Sequence, residues 1–174
     1  MSSSKDSLIK VAKYSLENSK TFCLNLGAEF LIEIFNSQMM EAIQYSDIVF
    51  GNDAEALKLS QVCKWNSTDI SEIAVLISKM PFKKTNKTRI VVITQGPDPT
   101  IMVHEGKVKY YESTKLEKES IVDTTGAGDA FVGGFLAQLL LEKSLDECMR
   151  CGTWAAGQVV RRFGCTFPDE CLFV

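Results

Sequence analysis

The segment Asp123-Thr124-Thr125-Gly126-Ala127-Gly128-Asp129 holds the residue types and spacing best suited to chemistry in this chain. Gly126 and Gly128 stand one residue apart where a loop meets a helical pattern that runs to Leu141. Backbone N–H groups can converge there without interference from Cβ atoms, at the positive end of a helix dipole, which makes an anion site. Asp129 follows directly, and the same dipole favours it as an ordinary first-turn carboxylate, so position alone assigns it no reaction. Further along, Gly133 and Gly134 each cost about 1 kcal/mol relative to alanine inside a helix, which predicts close packing against another element. A second constellation is Asn52-Asp53-Ala54-Glu55. An Asn N-cap with Glu three residues on is a good capping pair, and spacing demands no more of it.

Other phosphate motifs fail on particular residues. A dinucleotide-binding loop needs a third glycine where Phe131 stands, and the strand–helix–strand start it requires is missing. Gly128 and Gly133 have Walker A spacing, but Gly134 and Phe135 occupy the Lys and Ser/Thr positions. His104 is followed by Glu105-Gly106, which excludes a protein-kinase catalytic loop. That single histidine sits at a hairpin without a nearby Cys or second His, so neither a metal nor a base role is expected of it. Six cysteines, at 23, 63, 148, 151, 165 and 171, read as free thiols. Cys148-Met149-Arg150-Cys151 matches CxxC, but Cys165 and Cys171 are too far apart for a second zinc pair, and Cys148 falls on an apolar helix stripe.

The elements that must position these residues alternate between helix-period and strand-like runs, an α/β signature without repeats or linkers. Leu8, Val11, Ala12 and Leu16 recur at helical spacing. Thr21–Leu26 reads as a short buried strand, 28–45 as a helical stretch, and 47–50 as a second strand. Asn52 opens a helix, and Thr68 or Asp69 caps another that Pro81 stops. Lys83, Lys84, Lys87 and Arg89 read as a solvated loop feeding the strand 89–94, whose Ile-Val-Val-Ile is the most strand-like run present. Ile101–Val103 and Val108–Tyr111 flank a hairpin turn. Helix 128–141 follows, then Ser144-Leu-Asp-Glu147 as the capping box of a last helix, with Arg161 and Arg162 in its final turn and Gly164 as its stop.

The 174 residues are 45% hydrophobic and 24% charged, enough apolar material for an ordinary domain. A net charge of −3 leaves no basic excess for a nucleic-acid polymer. The longest apolar run, 130–141, has twelve residues against the ~20 that span a bilayer, and no secretory signal is visible. The expected location is cytoplasmic, with the nucleus left open.

On Asp123–Asp129, on Phe50-Gly51-Asn52-Asp53-Ala54-Glu55-Ala56, on Thr94-Gln95-Gly96 and on Arg161–Pro168, the chain resembles the ribokinase-like family of small-molecule kinases. The likeness covers nearly the whole chain, and Cys165-Thr166-Phe167-Pro168 points to the branch that phosphorylates nucleosides. The resemblance implies a three-layer α/β sandwich with a mostly parallel sheet, present here as a single partial domain over residues 1–174. It implies ATP as phosphoryl donor, Mg2+ as cofactor, and adenosine phosphorylated at its 5′-hydroxyl to AMP, in a protein that is monomeric at full length. Asp129 would be the general base, and the amides of Gly126, Ala127 and Gly128 the anion hole. Asn52 and Glu55 would organise magnesium and phosphates, Thr94 and Gly96 would contact ATP, and Asp123 and Thr125 would hold a monovalent cation.

Three core strands and a hairpin are few for a doubly wound sheet, so the chain is expected to be incomplete. The family carries a further N-terminal half with the first strands, a β lid and the motifs that grip the sugar. Met1-Ser2-Ser3-Ser4 would then begin at a helix in the middle of the fold. A ribokinase-like sugar kinase, or a half-domain that binds nucleotide without turning over, are the alternatives.

Overall fold

The computed structural model describes residues 5–84 and 87–173, which fall into two compact units divided between Tyr110 and Tyr111. The reading of Met1–Ser4 as a helix start falls outside the described residues. In the first unit, β1 (Cys23–Asn25), β2 (Ile48–Asn52), β3 (Ile90–Gln95), β4 (Asp98–His104) and β5 (Lys107–Tyr111) lie in that spatial order. β1, β2 and β3 are parallel, and β4 turns back antiparallel on β3. These are the three core runs and the hairpin that the sequence predicts. Val49, Val91, Val92 and Ile93 are wholly inaccessible, as expected of strands covered on both faces.

Around the sheet stand α1 (Lys5–Glu17), α2 (Glu29–Ile34), α3 (Asn36–Ile43), α4 (Asp53–Cys63) and α5 (Ile70–Lys79). Ala12, Ile32, Met39, Leu59 and Ile73 bring their buried faces into one core with Leu24, Val49 and Val91. Asp69 caps α5 by accepting from the amides of Ser71 and Glu72. The single helix expected over 28–45 is instead two, broken at Phe35, whose φ of −109° and ψ of 32° end α2 and begin α3. No proline or glycine marks the break, so tertiary packing overrides local propensity there.

The basic run 83–89 also differs from its expectation as a solvated loop. Arg89 is 2% exposed and its guanidinium donates only to backbone carbonyls. Nε reaches Ser46 O at 3.2 Å, Nη1 reaches Ile77 O at 2.9 Å and Met80 O at 3.0 Å, and Nη2 reaches Ile43 O at 2.7 Å and Pro81 O at 2.9 Å. Ile43 closes α3, while Ile77 and Met80 lie in the last turn of α5 and at its C-cap, so one side chain adds donors at two helix ends, where among the described residues Ile43 O and Ile77 O otherwise accept only from the Ser46 and Met80 amides. Burial draws the Arg89 pKa down to about 10, which keeps it charged at neutral pH. Lys84 is likewise buried, in an ion pair with Asp47, which also accepts from the Phe22 amide at 2.7 Å. Charge alone did not distinguish these two from Lys87, which is exposed.

The second unit is built on α6 (Ala127–Leu140) and α7 (Leu145–Val159). Ser144 and Glu147 form the expected capping box at the start of α7. The helix ends at Val159, so Arg161 and Arg162 lie just beyond its final turn rather than in it, and the Arg162 amide donates to Val159 O at 3.0 Å. Of the two mid-helix glycines only Gly134 marks close packing: a Cβ there would stand 2.7 Å from Cys151 O and 3.0 Å from Ala155 Cβ, whereas nothing lies within 4 Å at Gly133. The two alanine substitutions should therefore move stability in opposite directions. Gly134→Ala is expected to cost about 1–3 kcal/mol from overpacking, and Gly133→Ala to gain up to about 1 kcal/mol from helix propensity, read from urea midpoints.

Cys148 and Cys151 are buried, and burial pushes both thiols up, away from the thiolate that metal binding or nucleophilic attack needs. Cys165 and Cys171 are exposed. Iodoacetamide should accordingly label Cys165 and Cys171 in the native protein and reach Cys148 and Cys151 only after denaturation, as mass spectrometry of the digested chain would show. No helix among the described residues is long and apolar enough to cross a membrane.

Candidate functional site

Gly126 is the N-cap of α6, with a φ of +78° that glycine adopts without strain. No side chain caps this helix. The Ala127 amide donates to Thr124 O at 3.2 Å within a turn, and Ala130 N donates to Gly126 O at 2.9 Å. Among the described residues, the amides of Gly126, Gly128 and Asp129 have no protein acceptor, so the helix start presents three unsatisfied donors and the positive end of its dipole. Asp129 is the third helical residue and its side chain is exposed.

The loop that leads into this helix is tied down from behind. Asp123 Oδ1 accepts from Thr125 N at 2.8 Å, and its Oδ2 accepts from Gly164 N at 3.0 Å. The Thr125 amide and hydroxyl, then the Gly164 amide, hold the Asp123 carboxyl below the usual carboxylate range. At Gly126 a Cβ would stand 2.8 Å from Cys165 Cβ and 2.9 Å from its Sγ, so the loop rests directly on the segment after Gly164.

In the first unit, Asn52 ends β2 and caps α4, and in register it faces Thr94 near the end of β3. Both residues therefore lie at the carboxyl ends of parallel strands, where α/β folds bind ligands. Asn52 Oδ1 accepts from Glu55 N at 2.8 Å, while Glu55 Oε2 accepts from Asn52 N at 3.1 Å and Oε1 from Asn52 Nδ2 at 3.1 Å. The capping pair foreseen from spacing is thus fully formed. Glu55 is 6% exposed, and desolvation pushes its carboxyl up against the opposing pull of the Asn52 and Gly27 amides. Thr94 Oγ1 donates to Gly51 O at 3.4 Å, and Gly96 turns the chain with a φ of +58°.

A cavity of about 600 Å³ opens at these strand ends, lined by Gly27, Glu29, Glu33, Asn52, Glu55 and Lys58, among others. Lys58 pairs with Glu33 at 3.6 Å, and Glu29 and Asp53 both add to the upward shift of Glu55. The cavity is therefore acidic on balance and would repel a bare polyanion.

The expected site residues fall into two groups: Asn52, Glu55, Thr94 and Gly96 in the first unit, and Asp123, Thr125, Gly126, Ala127, Gly128 and Asp129 in the second. Sequence reasoning missed Gly27, whose amide supports Glu55, and Gly164 and Cys165, which support the loop. Gly27 has a small signal, as a glycine just after a short strand; the other two lie in the Arg161–Pro168 stretch that carries the resemblance, but their support of the loop acts across about forty residues and has no local signal.

The chain matches the pfkB family of carbohydrate kinases over residues 1–171. It is 44% identical to adenosine kinase 2 of Arabidopsis thaliana over 167 residues, which are 96% of this chain and 48% of that protein. Against the adenosine kinase of Schizosaccharomyces pombe the identity is 41% over 165 residues, 95% of this chain and 48% of the relative. The crystal structure of Anopheles gambiae adenosine kinase in complex with P1,P4-di(adenosine-5) tetraphosphate superposes with a TM-score of 0.93 at 40% identity, covering 98% of this chain and 50% of that one. The chain thus spans about half the length of the relatives it matches. A family match over residues 1–171, with its mostly parallel sheet superposing on a solved member, makes this chain a member of the pfkB family of carbohydrate kinases, with a ribokinase-like fold.

Proposed function

We propose that the chain is the ATP-binding and catalytic part of an adenosine kinase, transferring the γ-phosphoryl group of ATP to the 5′-hydroxyl of adenosine. The observation that carries this reading is the uncapped start of α6, where unsatisfied amides adjoin an exposed carboxylate. Phosphoryl transfer depends chiefly on positioning and on neutralising charge over the transferring oxygens, and fixed amides need no reorganisation to do so. The Gly126, Gly128 and Asp129 amides would hold those oxygens. Ala127 would contribute less directly, since its amide already serves Thr124. Asp129 would accept the proton of the attacking hydroxyl, a role that needs reach more than a shifted pKa.

The acidic cavity at Asn52 and Glu55 supports a cation there. Their oxygen donors suit a hard ion that keeps several waters, and with the inner face of Glu55 taken up by amides, they would hold Mg2+ through water. When bound, Mg2+ neutralises the phosphate charge that Glu29 and Glu55 would otherwise repel. Thr94 and Gly96 border the same strand ends and would contact the nucleotide. The acceptor is read from the relatives: identities of 41–44% are to adenosine kinases, and the Anopheles protein was solved with a ligand that joins two adenosines through phosphates. The cytoplasm is the proposed location, and a monomer the proposed state at full length.

The test is turnover by the purified chain with Mg-ATP and either adenosine or ribose. AMP formation from adenosine supports the proposal. Phosphorylation of ribose alone would reassign the chain to the sugar kinases, and nucleotide binding without turnover of either acceptor would leave it a non-catalytic half-domain.

A further inference from the structure

The bonds of Asp123 describe a task distinct from the cation role that the resemblance implies. Its two carboxylate oxygens are divided between its own loop and a segment forty-one residues on: one takes the Thr125 amide and the other the Gly164 amide. Gly126 lies between these anchors, pressed against Cys165 too closely for any Cβ. We propose that Asp123 is a positioning residue that fixes the direction of the Gly128 and Asp129 amides by clamping the loop onto the Gly164–Cys165 segment. The proposal rests on the phosphate-site reading of that loop. A loop entering a helix at positive φ with no side-chain cap has little of its own to hold it, and a carboxylate accepting from both sides restricts it where a neutral turn would not.

Asn is the informative replacement because both oxygens are in use. However its amide is oriented, one oxygen is lost and an NH2 group faces an N–H, so either Thr125 or Gly164 is released. Asp123→Glu keeps the charge but displaces the oxygens by a methylene.

The experiment is amide NMR on the full chain, with pyrophosphate as the anion probe. In Asp123→Asn the Gly164 or the Thr125 amide should exchange with solvent about tenfold faster or more, and the Gly128 and Asp129 resonances should move in the ligand-free protein. Pyrophosphate affinity should fall about tenfold, as loss of one charge-assisted hydrogen bond implies, while amides of α7 such as Ala155 keep their protection. Asp123→Glu should behave like Asp123→Asn. Unmoved Gly128 and Asp129 resonances in Asp123→Asn would overturn the proposal, as would wild-type affinity in Asp123→Glu. Recovery of Asp123→Asn by added potassium chloride would also overturn it, assigning the residue to a cation. If pyrophosphate leaves Gly128 and Asp129 unperturbed in the wild-type chain, the phosphate reading fails, while the ligand-free resonances and the exchange rates still decide the clamp.

Discussion

Asp129→Ala should lower the rate of adenosine phosphorylation about 10²–10⁴-fold and leave the fold intact. The two effects separate because they differ in size. A rate loss of that order corresponds to about 3–5 kcal/mol of transition-state stabilisation. Against it, an exposed carboxylate in the first turn of a helix contributes only about 0.3–1 kcal/mol to stability through the dipole. Asp129→Asn, which keeps size and polarity, should lose nearly as much rate and even less stability. Initial rates with Mg-ATP and adenosine, set beside thermal melts of the same samples, check both halves. Turnover that survives either substitution would remove the base assignment and leave Asp129 as a first-turn carboxylate favoured by the helix dipole.

Arg89→Met should destabilise the first unit by about 3–5 kcal/mol, the scale expected when several buried carbonyls lose a charged donor at once. Methionine fills much of the same volume, so the loss is chiefly polar: five backbone carbonyls lose the guanidinium together, and among the described residues only Ile43 O and Ile77 O keep a backbone donor, from Ser46 and Met80. Each unsatisfied buried group can cost about 1–3 kcal/mol, and the sum would exceed the quoted range if none found water or relaxed. A whole domain is stable by only about 5–15 kcal/mol, so the variant should populate unfolded chains at physiological temperature. Arg89→Lys retains the charge but offers three donors in place of five, and is expected to recover roughly half of the loss. Urea midpoints for the three proteins measure this, and a methionine variant within about 1 kcal/mol of wild type would show that the helix ends are satisfied some other way.

The parts of the fold that were legible in the sequence rest on local rules. Ile-Val-Val-Ile became the central strand, and Asn52–Glu55 and Ser144–Glu147 became complete capping boxes, because propensity and short-range hydrogen bonding determine them within a few residues. What was not legible depends on distant groups. Lys84 and Arg89 look like any surface charges until Asp47 and the ends of α3 and α5 are placed around them. The break at Phe35 has no local signal, and Gly133 and Gly134 cannot be told apart without knowing which one faces α7. The candidate site divides along the same line. Gly126, Gly128, Asn52 and Thr94 were found by type and spacing, whereas the supports behind them, Gly27, Gly164 and Cys165, come from residues that only folding brings near.

The Arg89 fork also sets an order of events during translation. Its most distant partner, Ile43 O, lies 46 positions earlier in the chain. At about 5–20 residues per second the ribosome adds those positions in roughly 2–9 s. For that interval Ile43 O at the end of α3 has only the Ser46 amide as donor, and Ile77 O in α5 only the Met80 amide. Helix ends in this unit thus gain their full set of donors only once the third strand begins to emerge, so a nascent chain paused before residue 89 holds the end of α3 by its own backbone turn alone.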